Sequence, residues 1–396
     1  MQLNTPTLFV EINNSNFIFV AGLHDDSQNY KIIEKIIINK KLINENKFTN
    51  IELVENTIKI NVKAIEEKLN CIFKDVTVIL NNSFYSCINI SGFKKLNGSQ
   101  VLKENISYIL NSLKLAVTEN EKEKTILHIF NSKSILDSSR VENLPIGLFG
   151  NFYSHELTFF LIKKNDLKNV KHVFNKNNLS VKKILIKDFI EGVELINHEK
   201  NAETFFYIKI NKTSSNLIFF DKSSFRYVEN FNFGTNIILS DIKKVCSIEN
   251  KIIEKILLDK PYEHKKFYTN EIFEEKYFVD GNFRKIRKKL IFDIVKARIE
   301  EINDIIFNKN INLESLKKDN MIIYFNIEDE TIFCNFKENF MSFFSNNETH
   351  SIEDFDIERL IQNAAYLSIY GWKKEAIPIT QTKNSLITRI FKSLFG

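Results

Sequence analysis

Glycine is scarce in this chain, and the glycines that occur form no known nucleotide-binding motif. The 396 residues include 10 glycines, which is about a third of the usual share. Neither GxGxxG nor GxxxxGK[ST] is present, so a Rossmann or P-loop site has no support. GxSxG and HExxH are also missing, and the 7 histidines stand singly. The sequence therefore offers no catalytic residues and no metal ligands, and we expect a protein that is not an enzyme.

Cysteines and long apolar runs are equally rare. The 4 cysteines show no CxxC spacing, which fits a reducing compartment and argues against a disulfide framework. Apolar runs such as Leu157–Ile162 are far shorter than the roughly 20 residues that span a bilayer. The N-terminus lacks the basic-then-apolar pattern of a signal peptide. We expect a protein that is soluble in its bulk.

Charge and composition exclude two further classes. The net charge of +5 is spread over 55 basic and 50 acidic residues, too dilute for a nucleic-acid-binding protein. An apolar fraction of 43%, with 12% aromatic residues, excludes wholesale disorder. The length allows two or three domains with sizeable cores.

The last residues carry a pattern of another kind. On a helical wheel, the apolar side chains of 385–396 fill one half and the polar and basic ones fill the other. The apolar half consists of Leu386, Ile387, Ile390, Phe391, Leu394 and Phe395, and Arg389 and Lys392 lie in the polar half. A helix this short needs a surface to fold against, and this composition suits an anionic membrane. The alternative is a C-terminal helix docked on its own domain.

Two strand–turn–strand patterns open two similar α/β stretches. Thr7–Val20 and Phe205–Phe220 each run from an apolar strand through a cluster of Asn, Ser or Thr into another apolar strand, as a hairpin does. Helical spacing then predicts helices over Val62–Asn70, Gln100–Leu115, Lys164–Asn178, Asp241–Leu258, Phe283–Phe307 and Ile352–Tyr370. A duplicated hairpin at the head of two α/β halves is the organisation of the actin-like fold, in which the two turns face a nucleotide cleft.

Several segments, in order, resemble FtsA, the actin-like bacterial cell division family. Thr125–Asn131 resembles the family's ILHVIPQ segment, and Leu144–Gly150 resembles DPxGMxG. Gly234 with Ser240-Asp241-Ile242 resembles GGxxxTxDI. Ala297–Ile302 resembles the ARxEEI helix, and Asn363–Gly371 resembles the closing helix that ends in YG. The resemblance runs from about Leu8 to the C-terminus.

The resemblance implies a two-lobed α/β architecture with an inserted subdomain and an amphipathic C-terminal helix. Residues 1–83 and 180–203 would form the first core subdomain, and 84–179 the FtsA-type insertion. Residues 204–376 would form the second lobe, with a smaller helical subdomain at about 245–320. Residues 377–384 would be a tether, and 385–396 the membrane-targeting helix.

The resemblance also implies a function. Such a protein anchors FtsZ filaments to the cytoplasmic face of the inner membrane at the division site. It self-associates and binds later division proteins through the insertion, and its helical subdomain receives the FtsZ C-terminal peptide. The basic residues Arg284, Arg287 and Lys288 are the candidates for that contact, because basic clusters steer acidic peptides. A solvated helical face is the other interpretation of this cluster.

The resemblance implies ATP as cofactor, yet the phosphate-binding turns depart from the family pattern. The first turn reads Glu11-Ile-Asn13-Asn14-Ser-Asn16 where the family has DIGT(T/S)K. The second reads Lys209-Ile-Asn-Lys212-Thr213-Ser214-Ser-Asn216 where it has DIGGGTTD, and the adenosine-side TGG(G) falls near Phe325–Glu328. Glycines let backbone N–H groups close on phosphate oxygens, and the lost aspartates would organise Mg²⁺.

Two interpretations of these turns remain open. Lys209 and Lys212 either replace the charge of the metal and hold a nucleotide, or belong to a decayed site that serves only as packing. Asn tolerates left-handed backbone conformations, so the turns can keep their shape. We expect no hydrolysis and weak or absent ATP binding. Gly234, Arg298 and Glu301 complete the candidate nucleotide cleft, although Arg298 and Glu301 also fit an ordinary charged helix face.

Two competing functions share the fold. One is a working ATPase or chaperone, which the missing glycines and aspartates oppose. The other is a PilM-like adaptor of pilus or secretion assembly. Such adaptors reach the membrane through the peptide of a partner, so the amphipathic tail favours the division role.

Overall fold

The computed structural model describes residues 5–24, 30–44, 47–81, 85–199, 202–258, 271–278, 283–318, 320–327, 337–344 and 347–376. The described residues divide into two compact units. Unit 1 comprises residues 1–203, 220–227 and those from 355 onward, and unit 2 comprises 204–219 and 228–354. The predicted tether (377–384) and amphipathic helix (385–396) lie outside the described residues.

The first sheet has five strands in the order β11-β6-β1-β2-β3. Its strands are β1 (Thr7–Ile12), β2 (Phe17–His24), β3 (Tyr30–Ile38), β6 (Asp75–Leu80) and β11 (Ser180–Ile186). β1, β2 and β3 pair antiparallel, whereas β6 pairs parallel with both β1 and β11. The central strands are nearly continuous apolar runs, as expected for strands buried on both faces.

Short strands and helices complete the layer around the first sheet. They are β4 (Ile43–Asn44), β5 (Lys47–Phe48), α1 (Ile51–Leu69), α3 (Lys164–Asn175) and α4 (Lys187–His198). α1 starts 11 residues before the predicted Val62 because the side chain of Asn50 accepts the backbone N–H of Leu53 at 2.9 Å, which caps the helix. α1 ends where Asn70 turns left-handed at φ 47°, a common helix terminator.

A second, antiparallel sheet is inserted in the chain between β6 and β11, in the order β7-β10-β8-β9. Its elements are β7 (Tyr85–Lys95), α2 (Lys103–Asn120), β8 (Lys124–Leu136), β9 (Ser139–Val141) and β10 (Phe152–Lys163). α2 packs on β7, β8 and β10 and buries Ile106, Ile109, Leu110, Leu113 and Val117. α3, the last part of the predicted insertion, contacts α1 and β11 as well as β10.

The third sheet repeats the order of the first, β14-β13-β12-β15-β16. Its strands are β12 (Phe205–Ile210), β13 (Ser215–Asp221), β14 (Ser224–Phe231), β15 (Ile322–Ile327) and β16 (Glu348–Ile352). β12 pairs parallel with β15, and β15 with β16. Both sheets therefore place a leading hairpin and a third strand on one side and two later parallel strands on the other. This duplication confirms the predicted pair of α/β halves.

Helices lie in the connections of the second half. They are α5 (Asn236–Cys246), α6 (Asn250–Leu258), α7 (Lys288–Asn303), α8 (Lys337–Ser342) and α9 (Ile357–Tyr370). A π-helical turn (Asp304–Asn308) continues α7, and 3-10 turns cover Glu275–Phe278 and Ile311–Leu313. The strand pairing and helix layers are those of the actin-like fold.

Three helix predictions for this half need correction. Asp241–Leu258 is two helices, because Ser247 adopts a left-handed φ of 51° and ends α5. The helix predicted from Phe283 begins at Lys288, because Phe273 and Ile286 pair like neighbouring strands (N–H to O 3.0 Å). Ile352 ends a strand, and α9 begins only after Asp356 caps it.

α9 also lies in a different unit from the one expected. It packs on α4 and β3 of unit 1, whereas the family resemblance implies a single second lobe over 204–376. Its buried face, which includes Leu360, Ile361 and Ala364, has the predicted spacing.

Candidate functional site

The first predicted phosphate turn, between β1 and β2, is closed by its own polar groups. The N–H of Asn13 donates to the carbonyl of Asn16 at 3.0 Å. The side-chain amide of Asn13 donates to Glu11 Oε1 at 2.8 Å and to Asn16 Oδ1 at 2.7 Å. Asn14 is exposed at the tip. The polar side chains thus bind one another across the turn.

A buried ion pair stands beneath this turn. Lys187, the first residue of α4, donates from Nζ to Glu11 Oε1 at 2.7 Å, and Glu11 is 1% exposed. Sequence reasoning missed Lys187. β1 and β11 run parallel in one sheet, so a residue just beyond β11 lies at the same sheet edge as the end of β1. The ammonium of Lys187 thus balances the charge of the Glu11 carboxylate.

The second turn, between β12 and β13, is also closed internally. The N–H of Asn211 donates to the carbonyl of Ser214 at 2.8 Å, and its side-chain amide lies 3.3 Å from Ser214 Oγ. Lys212 and Thr213 are exposed. None of the described residues with positive φ lies in either turn. Both turns keep a hairpin shape, as expected, but without left-handed asparagines: backbone and side-chain hydrogen bonds close them.

Gly234 holds the second turn against the loop that leads into α5. A Cβ at Gly234 would collide with the carbonyl of Asn211 and approach the carbonyl oxygen of Lys212 to 2.9 Å. The N–H of Thr235 donates to the carbonyl of Asn211 at 3.0 Å, and that of Asn236 donates to Lys212 at 2.9 Å. Gly234 is thus required for close backbone packing, and it lies next to the turn as the sequence predicted.

The two positions that should carry aspartates have other roles. Lys209 is 8% exposed, and its ammonium lies 5.8 Å from the centre of the Tyr207 ring. Asn216 is 3% exposed and donates to Asn230 Oδ1 at 2.5 Å. In the described part of the chain, no group of three His, Cys, Asp or Glu side chains is placed to hold a metal ion. At these two positions an ammonium and an amide stand where the family pattern has carboxylates.

Arg298 and Glu301, predicted at the adenosine side, belong to an ion-pair network. Arg298 Nε donates to Asp241 Oδ2, and its Nη1 donates to Glu301 Oε2 at 2.5 Å. Asp241 is the residue that sequence reasoning did not connect with them. The network links α5 to α7, which also pack on each other, so it supports the interpretation as a structural charged face.

The basic cluster is split between an extended segment and the start of α7. Arg284 and Arg287 are exposed in the segment before the helix. Arg287 forms an antiparallel bridge with Ile272, and Lys288 Nζ donates to Glu271 Oε2 at 2.8 Å. Ile272 is 44% exposed beside these cations. Arg284 and Arg287 therefore remain available to an acidic ligand, while Lys288 is engaged.

A buried His128–Glu375 pair near the end of the described chain was not predicted from the sequence. Lys374–Ala376 pairs with β8: the N–H of Asn131 donates to the carbonyl of Lys374, and that of Ala376 to Ile129, both at 2.7 Å. His128 Nδ1 lies 2.7 Å from Glu375 Oε1, and both side chains are buried. Burial alone would raise the pKa of Glu375, but the hydrogen bond and charge of His128, with Lys183, hold it below its ordinary value. His128 and Glu375 are 247 residues apart, and no local pattern connects them.

An apolar surface lies on the insertion, which we call the insertion patch. It consists of Phe93, Leu102, Ile146, Leu148, Phe149 and Phe152, each 40–70% exposed. Phe93 stacks on Phe152 with ring centres 5.3 Å apart. The N–H of Val101 donates to the carbonyl of Leu148 at 2.8 Å, which brings the two loops together. Exposed apolar side chains grouped in this way are a candidate surface for contact with another protein.

The membrane-binding residues predicted in 385–396 lie outside the described residues, so the amphipathic helix stays a prediction. Among the described residues, no helix is both long and apolar enough to cross a membrane.

Comparison with known proteins supports this fold. No family model matches the chain. The chain is 21% identical over 304 residues to the cell division protein FtsA of Buchnera aphidicola subsp. Schizaphis graminum, covering 76% of this chain and 72% of that protein. It is 20% identical over 308 residues to FtsA of Buchnera aphidicola subsp. Acyrthosiphon pisum, covering 77% and 73%.

Among solved structures, a PilM-PilN type IV pilus biogenesis complex matches with a TM-score of 0.52 and 10% identity, covering 91% of this chain and 95% of that one. The protein has the actin-like fold. Its similarity to FtsA is low in identity but long, and it supports a role in cell division.

Proposed function

We propose that this chain is an FtsA-like adaptor of cell division that attaches FtsZ filaments to the cytoplasmic face of the inner membrane. The observation that carries the proposal is the similarity to FtsA proteins over three quarters of the chain. The apolar and basic pattern of 385–396, which suits an anionic membrane interface, supports attachment through the tail.

Two described surfaces support the partners in this proposal. Exposed Arg284 and Arg287, next to half-exposed Ile272, suit an acidic peptide with apolar side chains, such as the FtsZ C-terminal peptide. The insertion patch supports self-association and contacts with later division proteins, because it exposes six large apolar side chains in one place.

The adaptor does not depend on catalysis. Family resemblance suggests ATP binding, but Lys209 and Asn216 replace the aspartates, and both turns bond internally. We therefore propose no nucleotide-driven step.

The tail is the part of the proposal that an experiment tests most directly. Phe391→Asp puts a charge on the apolar face and should reduce binding to anionic vesicles at least about tenfold, since burying one large apolar side chain is worth about 1.5–3 kcal/mol. Thr388→Asp adds the same charge to the polar face and is the matched control, with a smaller loss. Vesicle co-sedimentation with and without FtsZ filaments measures both variants.

The results separate this function from its competitor. Recruitment of FtsZ to vesicles by the unaltered chain, lost with Phe391→Asp, would support the division adaptor. The structural match to PilM favours an adaptor of pilus assembly as the second candidate. Unaltered vesicle binding by Phe391→Asp, or a failure to bind FtsZ at all, would contradict the division proposal.

A further inference from the structure

Unit 2 contains a groove that the proposed function leaves unused. It has a volume of about 490 Å³ and is lined by the end of β14, the end of α7 and the π-helical turn that follows. The lining residues are Glu229, Phe231, Glu301, Asp304, Ile305 and Ile311, with Lys309 and Asn310. The volume lies in the range of about 300–1,000 Å³ typical of ligand clefts. A π-helical turn is rare and is frequently found at functional sites.

The groove combines apolar side chains with carboxylates. Ile305 is 45% exposed and Ile311 is 76% exposed, so neither is fully covered by its own unit. Phe231, the last residue of β14, is half-buried and also lines the groove. This part of the groove suits large aliphatic or aromatic groups of a ligand.

The charge of the groove is negative. Glu229, Glu301 and Asp304 contribute three carboxylates, against Lys309 within the lining and Arg298 beside Glu301. The hydrogen bond from Lys309 at 2.5 Å holds the pKa of Asp304 below its ordinary value, so this carboxylate is ionised at neutral pH. Glu229 accepts the side-chain amides of Asn310 and Asn312 at 2.7 and 3.1 Å, which orients its carboxylate. A chain of net charge +5 therefore has a local acidic, apolar groove.

The complementary chemistry is an amphipathic segment with large apolar residues on one face and basic residues beside them. The residues 385–396 of this chain have that composition: six large apolar side chains with Arg389 and Lys392. We propose that the groove binds the C-terminal segment of a second copy of this chain. The contact uses the same apolar face that the membrane would cover, so a tail bound to a neighbouring copy is withheld from the bilayer.

This inference extends the proposed function but does not depend on it. It needs only the pattern of the tail and the groove, and lipid-free experiments test it. Vesicle binding tests the anchor separately, so failure of one leaves the other standing.

The test mixes two full-length variants that each lack one half of the contact. Ile305→Ser removes an apolar group from the groove and keeps the tail. Phe391→Asp disrupts the tail and keeps the groove. Without lipid, each variant alone should lose copy-to-copy association through this contact, and an equimolar mixture should regain it, because the intact tail of one fits the intact groove of the other. Sedimentation velocity measures the weight-average sedimentation coefficient of each sample.

The control for the groove is Leu290→Ser. Leu290 is 41% exposed, close to the 45% of Ile305, and lies on α7 in the same unit outside the groove. This variant should associate as the unaltered chain does. As a direct measurement, a fluorescent peptide of residues 385–396 should bind the Phe391→Asp chain about tenfold more tightly than a chain that carries Ile305→Ser as well, the size expected from one apolar contact.

Two results would overturn the proposal. One is a mixture whose sedimentation coefficient equals the average of those of the two separate variants. This result would indicate that the tail docks in the groove of its own chain or that the groove has another occupant. The other is peptide affinity that does not change when Ile305 is replaced. Restored association in the mixture together with the loss of peptide affinity would establish the contact.

Discussion

At the scale of single residues, His155 on β10 is a buried polar group. The side chain is 1% exposed, and among the described residues neither ring nitrogen has a hydrogen-bond partner. Burial lowers its pKa from 6.5 to about 4. An unsatisfied buried polar group costs about 1–3 kcal/mol, so His155→Leu should raise the free energy of unfolding of unit 1 at pH 7 by about that amount. Denaturant titration followed by Trp372, the only tryptophan, measures the change.

The pH dependence gives the same residue a second readout. Because the folded pKa is lower than the unfolded one, the unfolded chain binds the proton more tightly below pH 6.5. Stability should therefore fall as the pH drops from about 6.5 to about 4, by up to about 3 kcal/mol. His155→Leu should remove this dependence of stability on pH, whereas His350→Leu, at a partly exposed site, should retain it. An unchanged slope in His155→Leu would show that other groups control the acid transition.

At the scale of elements, the segment Lys374–Ala376, which bridges to β8 at Glu375, depends on a buried charge pair. Glu375→Gln would leave His128 and Lys183 buried without their carboxylate partner, and breaking a buried pair costs about 3–5 kcal/mol. Lys183 also donates to the carbonyl of Leu367 at 2.5 Å, and this hydrogen bond holds its ammonium in the buried position. The expected result is faster hydrogen exchange at the amides of Asn131 and Ala376, because their hydrogen bonds join this segment to β8.

The control for this prediction is Lys373→Ala. Lys373 directly precedes the segment Lys374–Ala376. Its Nζ lies 3.5 Å from Glu203 Oε1 in an exposed ion pair, and exposed ion pairs contribute little to stability. Exchange at Asn131 and Ala376 should not change in this variant. If both amides kept full protection from hydrogen exchange in Glu375→Gln, backbone pairing alone would hold the segment on β8.

Elements whose signal is local were predicted correctly, and those set by distant partners were not. The two hairpins follow from alternation around a polar turn, which needs no tertiary information. The start of α7 was missed because Ile272 and Arg287 pair across a long loop. The ion pair beneath the first turn was missed for a related reason: Lys187 reaches Glu11 from 176 residues away. Pattern reasoning located the candidate turns but could not supply the partners that occupy their polar groups.

At the scale of the whole molecule, each of the two duplicated sheets carries a turn whose polar groups bond to one another. In the first, Asn13 bonds to Asn16 and Glu11 is paired with Lys187; in the second, Asn211 bonds to Ser214. A phosphate group at either turn would compete with these hydrogen bonds. The internal bonding of both turns supports the proposal that the actin-like fold serves here as a scaffold.

This scaffold interpretation predicts assembly without nucleotide. Calorimetry with Mg²⁺-ATP should show no binding stronger than about 1 mM, which corresponds to roughly 4 kcal/mol, and vesicle association should be equal with and without ATP. Replacing Lys209 and Asn216 by Asp serves as the comparison, since the pair restores the carboxylates but not the glycines. That variant should still bind nucleotide poorly, because the turns remain closed by their own hydrogen bonds. Micromolar binding by the unaltered chain would mean that the turns open for the ligand, and the exposed cation of Lys212 would then be the first residue to test for phosphate contact.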